Sequence, residues 1–195
     1  MAEIAQRCGL AKGTLYLYFQ AKEELFLAAL GSELSTWLDL LAAELDAGIG
    51  TEPRAFAEHL VRTLMPRQTL IELLPLQRTL LDQSGAGQTA TRFSRTLGEK
   101  LQEAALVVER VLPLAAGEGK RVLLRTLALV VGLRQIPDPT PSLLDGSGSS
   151  PIQPTDFGHE LLESIAAMLL GMLAADGVRT AMTPRWIPSA TVSVD

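Results

Sequence analysis

The stretch from Lys22 to Asp46 most constrains what this chain can fold into. It contains no proline, and leucines such as Leu38, Leu41 and Leu45 recur along it at helical spacing. Such spacing predicts one long amphipathic helix, which Gly31 interrupts only mildly. A helix of this length must bury its apolar side against other helices, so the stretch indicates a helical bundle around it.

The composition supports an all-α fold. The chain of 195 residues is 47% hydrophobic but only 5% aromatic, so its core must consist mostly of Leu, Ala and Val. Strands favour β-branched and aromatic residues, which makes helices the better prediction. Six further helices are predicted, at Ala2–Cys8, Lys12–Phe19, Pro53–Met65, Arg67–Gln83, Gln88–Leu112 and Lys120–Ile136, and a last one runs from Pro154 to about Gly177.

Prolines and glycines mark the boundaries of these helices. Pro53 is well placed in the first turn of its helix. Pro75 lies inside its predicted helix and should kink or split it, either as a bend in the core or as the wall of a pocket. The segment 137–154 is rich in Pro, Gly and Ser and predicts a flexible surface loop.

Few residues suggest catalysis or metal binding. Cys8 is the only cysteine and is expected to be a small buried residue. His59 and His159 belong to no metal-ligand motif, and His59 is expected to be solvated or at the edge of the core. Trp37 is expected to pack in the core. No nucleotide-binding or catalytic motif is present, so we expect no enzyme activity, no metal and no cofactor.

Location and charge narrow the partners. The sequence shows no signal peptide and no uninterrupted apolar run long enough to span a membrane, so a cytoplasmic protein is expected. The net charge of −5 means that any DNA-binding surface must be local.

The chain opens on a candidate helix-turn-helix. Ile4, Ala5 and Cys8 share one side of the first helix, Gly9 ends it, and Leu10 is expected to re-enter the core. On the second helix Leu15 and either Tyr18 or Phe19 should face inward. Two short helices joined by a glycine-containing turn are typical of DNA-binding proteins. Spacing alone equally allows a two-helix corner in which the tyrosines merely pack.

The residues left on the outside are suited to DNA. Lys12 and Lys22 can neutralise phosphates. Thr14 and the hydroxyl groups of the tyrosines can donate hydrogen bonds to phosphate oxygens, and Thr or Tyr can also contact a thymine methyl group.

The run IAQRCGLAKGTLYLYFQAKEEL, from Ile4 to Leu25, resembles the DNA-binding head of TetR-family transcriptional regulators. Its GTLYLYF segment is similar to the family's recognition helix, which lies in the major groove. The resemblance implies a set of DNA-binding residues on and just after this helix, with the last one on the phosphate backbone: Lys12, Gly13, Thr14, Tyr16, Tyr18 and Lys22.

The chain departs from the family pattern in two ways. The family's first head helix precedes the matching run, so residues 1–24 are expected to form a partial head without that helix. Ala11 and Ala21 stand where the family usually carries a capping Ser or Thr, and each missing cap should cost about 1 kcal/mol of helix stability.

Residues 25–182 are expected to form an all-helical regulatory and dimerisation domain, and 183–195 a disordered tail. The helices at about 120–136 and 155–176 are apolar on more than one side, which favours a four-helix dimer interface, as the resemblance also implies. They could instead simply be central in the monomer. Small residues that would permit close helix approach are Gly132, Ala166, Ala167 and Gly171.

The resemblance thus implies a ligand-responsive repressor that binds a palindromic double-stranded DNA operator as a homodimer. A small apolar effector would bind among the body helices, at residues that the sequence does not identify, and favour a head separation that no longer fits the operator. The alternative is a ligand-binding and dimerisation module that no longer binds DNA because its head is incomplete.

Overall fold

The chain folds into nine α-helices within the residues that the structure, a computed structural model, describes: 1–48, 52–84, 87–135 and 156–181. These residues contain no strand, which confirms the all-α prediction. A short 3-10 helix at Leu74–Leu76 separates the fifth and sixth α-helices. The α-helices are α1 (Ala2–Arg7), α2 (Lys12–Tyr18), α3 (Lys22–Asp46), α4 (Pro53–Leu64), α5 (Gln68–Leu73), α6 (Gln77–Ser84), α7 (Gln88–Val111), α8 (Glu118–Gln135) and α9 (Phe157–Ala181).

The predicted proline effects are confirmed. Pro53 begins α4, where Glu52 caps the helix by accepting a hydrogen bond from the Ala55 amide at 3.0 Å. Pro75 lies in the 3-10 helix that divides the predicted single helix into α5 and α6. The predicted loop at 137–154 and the predicted tail from Thr183 lie outside the described residues.

Helix α3 is the centre of the core. Its leucine side is fully buried and packs against α4, α5, α6 and α7. Trp37 is also fully buried, as predicted, and its indole N–H donates a hydrogen bond of 3.1 Å to Thr63 Oγ1 on α4. The Thr63 hydroxyl in turn donates to the carbonyl of Leu60 at 3.0 Å. This buried chain of hydrogen bonds fixes α4 against α3 without leaving a polar atom unpaired.

Helices α3 and α7 run parallel along a contact that we call the α3–α7 seam. Gly31 allows the close approach, because a Cβ atom there would lie 3.1 Å from the ring of Phe93. Further along the seam Lys100 forms an ion pair with Asp39 at 2.9 Å. At its end Arg110 forms an ion pair with Asp46 at 2.6 Å.

Helices α7 and α8 form a tight antiparallel pair. Glu109 of α7 accepts hydrogen bonds from the amides of Gly117 at 2.8 Å and Gly119 at 3.1 Å, so it caps the start of α8. Gly117 has φ +87°, a left-handed conformation that favours glycine. Gly119 is buried, and a Cβ atom there would clash with the carbonyl oxygen of Ala105.

The last helix closes the bundle. Helix α9 packs against α4 and α8, and Arg54 of α4 forms an ion pair with Glu163 of α9 at 2.9 Å. The guanidinium of Arg134 on α8 lies over the ring of Phe157, 5.7 Å from its centroid. Because the end of α8 meets the start of α9, these two helices run antiparallel.

His159 is exposed, whereas His59 is buried in α4, which corrects the expectation that His59 is solvated or at the edge of the core. Its Nδ1 atom lies 2.7 Å from a guanidinium nitrogen of Arg62, which must donate, so the ring is neutral with its proton on Nε2. Nε2 lies 3.2 Å from Glu44 Oε2 but lacks hydrogen-bond geometry, so this contact is electrostatic. Burial, and then the charge of Arg62, lower the pKa of His59.

We expect Gly119→Ala to destabilise the protein by about 1–3 kcal/mol, because the methyl group forces α7 and α8 apart. Gly98→Ala is the matched control: it also replaces a helical glycine, and its Cβ would meet nothing within 4 Å. That control should leave stability unchanged or raise it by up to about 1 kcal/mol. Urea unfolding at one protein concentration measures both; equal effects would contradict the close helix crossing.

A second prediction concerns pH. Because the folded state lowers the pKa of His59 below its unfolded value of 6.5, protonation favours unfolding. The stabilisation from the neutral ring is complete above pH 6.5 and is lost as the pH falls from there through the folded pKa. His59→Gln should therefore flatten the dependence of unfolding free energy on pH between about 7 and 5, whereas His159→Gln, at an exposed position, should not. Parallel slopes for His59→Gln and the unsubstituted protein would contradict this.

Candidate DNA-binding site

The turn between α1 and α2 has the geometry that the helix-turn-helix prediction requires. Gly9 has φ +67°, and its amide donates to the carbonyl of Gln6 at 3.1 Å. The Leu10 amide donates to the carbonyl of Ala5 at 2.9 Å. This pair of hydrogen bonds ends a helix tightly and depends on a residue that tolerates positive φ. Four residues, 8–11, therefore suffice to connect the two helices.

The two helices pack on each other through small and apolar side chains. Ala5 of α1 and Leu15 of α2 are buried, and Phe19, just after α2, is half-buried, as predicted. Two expectations are wrong: Cys8 is exposed, and Leu10 is 45% exposed. Both lie in the turn, after α1 ends at Arg7 and before α2 begins at Lys12, so the packing of the two helices does not cover them.

Four of the six predicted site residues on α2 and α3 have described side chains with open surface. Tyr16 is 44% and Tyr18 76% exposed, and the Lys22 side chain is 64% exposed. Thr14 is half-buried at the edge of this surface. Gly13 has nothing within 4 Å of where a Cβ would be, so its backbone can approach a partner closely. Lys12 begins α2, but its side chain lies outside the described residues.

Sequence reasoning missed Leu17. It is the most exposed large apolar residue described, at 83%, and it lies one helical turn after Gly13, in the centre of the outward face of α2. An apolar side chain in this place can contact a thymine methyl group. The helical spacing could have predicted this exposure, because Leu17 lies farther around the helix from the buried Leu15 than Tyr16 or Tyr18 does.

Local ion pairs offset part of the positive charge of the head. Arg7 pairs with Glu3 at 2.9 Å on the exposed side of α1. Lys22 lies 3.8 Å from Glu23, a looser contact that leaves its ammonium group accessible. The Arg7–Glu3 pair is exposed on both sides, and such pairs contribute little to stability, so a phosphate can replace the Glu3 carboxylate at small cost.

The missing helix caps are confirmed. Ala11 and Ala21 occupy the N-cap positions of α2 and α3 in extended conformation, and neither supplies a capping side chain. Glu24 in the first turn of α3 accepts a hydrogen bond of 2.8 Å from the amide of Gln20, the residue before the N-cap, so it holds the chain that enters α3.

Among the described residues, two of the surface clefts border α3. The polar cleft, of about 520 Å³, lies between α3 and the α4–α5 region and contains Glu33, Glu44, Arg62 and Arg67. The head–body cleft, of about 400 Å³, lies where the end of α2 faces α3 and α7. Its lining residues are Tyr18, Phe19, Leu27, Ala28, Gly31, Ser32, Ser35, Gln88, Thr89, Arg92, Phe93 and Thr96. Pro75 lines neither cleft.

Helices α8 and α9 share an exposed apolar surface, which we call the α8–α9 face. It includes two leucines, Leu124 at 46% and Leu170 at 57% exposure, and an apolar groove between the helices. The small residues exposed on it are Ala128, Gly132, Ala167, Gly171 and Ala174. Ala166, which was expected to be available for close helix approach, is buried inside the chain instead, because it lies on the side of α9 that faces the core.

Within the described residues, no group of three or more His, Cys, Asp or Glu side chains is placed to hold a metal ion. Helix α3 and residues Phe157–Ala175 of α9 are long and apolar enough to cross a membrane by length and composition alone. Since both helices contribute leucines to the protein core, their apolar character has an explanation without a membrane.

Two family models match the chain. Residues 1–29 match a model described as bacterial regulatory proteins of the tetR family, and residues 31–176 match one described as a tetracyclin repressor-like C-terminal domain. The two matches meet within α3. A comparison with curated proteins found no significant match.

Proposed function

We propose that this chain, which belongs to the TetR family of bacterial transcriptional regulators, is a ligand-responsive repressor that binds a palindromic operator as a homodimer in the cytoplasm. The observation that carries the proposal is the exposed face of α2, where a tight helix-turn-helix presents Tyr16, Leu17 and Tyr18 with little cover. A short helix with such a face fits the major groove.

The proposed DNA contacts divide by chemistry. Tyr16, Thr14 and Leu17 would contact base edges and thymine methyl groups, because they lie on or beside the outward face of α2. Lys12, Tyr18 and Lys22 would bind phosphates. Gly13 would let the backbone of α2 approach the DNA closely. These contacts are few and the chain is acidic overall, so binding should depend strongly on how the two heads are spaced.

The proposed dimer forms through the α8–α9 face. Exposed leucines beside a row of small residues are unusual on the surface of a monomer, and close packing of two copies would bury them. Two helices from each chain would then form a four-helix bundle. The small residues allow the helices to approach closely, and the leucines provide the apolar area.

A second candidate function is a ligand-binding and dimerisation module that does not bind DNA. The absence of both capping side chains favours it, because helices without caps weaken the head. DNA titration distinguishes the two candidates.

The DNA assignment predicts the behaviour of two lysine variants on an operator selected from random duplexes. Lys22→Ala should weaken binding about five- to twenty-fold and reduce the slope of log K against log salt by about 0.9, as expected for the loss of one phosphate contact. Lys120→Ala, which removes the same charge from α8, should change neither. Gel-shift titration at several salt concentrations measures both, and identical behaviour of the two variants would argue against the proposed site.

The dimer assignment predicts a difference between two exposed leucines. Leu170→Glu should raise the dimer dissociation constant at least tenfold, because it would bury a carboxylate in the interface. Leu106→Glu, at a leucine of similar exposure on α7, should leave the dimer intact. Sedimentation velocity at micromolar concentration reports the oligomeric state. A monomer without any substitution, or loss of the dimer in both variants, would contradict the α8–α9 interface.

A further inference from the structure

We propose that the head–body cleft binds a small amphipathic organic anion, such as an aromatic carboxylate or sulfonate, and that this anion is the effector. The inference rests on the proposed regulatory function and gives it a site and a chemical class of ligand. It also sharpens the apolar effector expected from the sequence, because the cleft combines apolar walls with a cation.

The cleft exists because one stripe of α3 has only small side chains. Ala28, Gly31, Ser32 and Ser35 follow each other at helical spacing on the side that faces α7. At Gly31 the backbone of α3 already approaches the ring of Phe93 on α7 closely. Apart from Leu27, which is fully buried, no long side chain from α3 lines this level of the seam, so a space of about 400 Å³ remains, which is in the range of small-molecule sites.

Arg92 is the cation of the cleft, and it lacks a carboxylate partner such as the one that Lys100 has further along the seam. Two turns further along the seam, the Lys100 ammonium group pairs with Asp39 at 2.9 Å. At the level of the cleft, Arg92 stands in the place of Lys100, eight residues earlier, and Ser32 stands in the place of Asp39, seven residues earlier. No carboxylate among the described residues pairs with Arg92, and the other eleven lining residues are uncharged. An external anion would complete this level of the seam.

The lining explains the remaining chemistry of the ligand. Leu27, Phe93 and Phe19 provide apolar contact for a ring or short alkyl body, while the hydroxyl groups of Ser35 and Thr96 can donate hydrogen bonds to the anionic group. A guanidinium binds a carboxylate or sulfonate through two parallel hydrogen bonds. The ligand therefore needs both an apolar body and one anionic end.

The polar cleft does not offer the same site. Its two arginines are already paired, Arg62 with Glu44 at 3.0 Å and Arg67 with Glu33 at 3.5 Å. An anion that enters there meets two carboxylates as well as two guanidinium groups. Charge complementarity therefore favours the head–body cleft.

The position of the cleft couples the ligand to DNA binding. One wall is formed by Tyr18 and Phe19, at the end of the proposed recognition helix, and the opposite walls belong to the body. A ligand that draws Tyr18 towards the body removes it from the DNA surface, so the ligand should weaken DNA binding. By linkage, DNA should weaken the binding of the ligand by the same factor.

The probe pair 8-anilinonaphthalene-1-sulfonate and N-phenyl-1-naphthylamine tests the site, because the second lacks the sulfonate. Fluorescence titration of the full chain should give saturable sulfonate binding that Arg92→Gln weakens about five- to twenty-fold. Arg95→Gln is the matched control, an exposed arginine on the same helix outside the cleft, and should change it less than twofold. The neutral probe should bind equally to the unsubstituted chain and to Arg92→Gln. Ser35→Trp, which fills the cleft, should abolish binding of both probes.

Other results overturn the inference. Absence of sulfonate binding, equal effects of the two arginine variants, or binding that survives Ser35→Trp in a folded protein would each exclude the cleft; the last would place the probe elsewhere, for example on the α8–α9 face. Circular dichroism establishes whether Ser35→Trp folds, and Arg92→Gln carries the test if it does not.

Operator titration with and without the sulfonate separates this inference from the proposed function. Arg92-dependent probe binding by a chain that binds no DNA would support the site and refute the repressor. DNA binding together with probe binding that is independent of Arg92 would do the reverse. If both sites bind and the affinity for DNA is unchanged by the probe, the effector role is refuted.

Discussion

Burial of the leucine side of α3 is the interaction on which the rest of the structure depends. Each fully buried leucine contributes roughly 1.5–3 kcal/mol of hydrophobic stabilisation, and α3 buries leucines from Leu27 to Leu45 along nearly its whole length. Helices α4, α5, α6 and α7 are placed by the need to cover this side. Because α3 begins at Lys22, directly after the head, the packing of α3 in the body also fixes the point at which the head is attached.

The polar groups within the core add specificity to this packing. Leucines alone permit several registers, whereas the hydrogen bond from Trp37 to Thr63 is satisfied in only one arrangement of α3 and α4. His59, which lies one helical turn before Thr63 on α4, stays neutral because it is buried and because Arg62 donates to it. Gly31 and Gly119 act in the same way at the other interfaces, since only glycine allows α7 to approach its neighbours so closely.

The α3–α7 seam connects this architecture to regulation. Towards the ends of α3 and α7, ion pairs between acids of α3 and cations of α7 close the seam. Beside the head the seam is open, and there Arg92 has no carboxylate partner among the described residues. A regulator needs two head positions of similar free energy, and a ligand can shift them only through contacts that differ between the two. A cleft with one wall on the head and two on the body provides such contacts, whereas a cavity deep in the body would act only indirectly.

The sequence by itself determined the helices, most of their ends and the family. These features depend on interactions within a few residues. They are the leucine spacing of α3, the fixed φ of Pro53 and Pro75, the left-handed conformation of Gly9, and the missing caps at Ala11 and Ala21. Only the tertiary structure decided which side of each helix met a partner. It exposed Cys8 and Leu10, turned Ala166 inward and Ala167 outward, and brought Arg92 opposite Ser32 across sixty residues of sequence. Local patterns state that a side is apolar or small, but whether it becomes core, cleft or open surface depends on which distant helix packs against it.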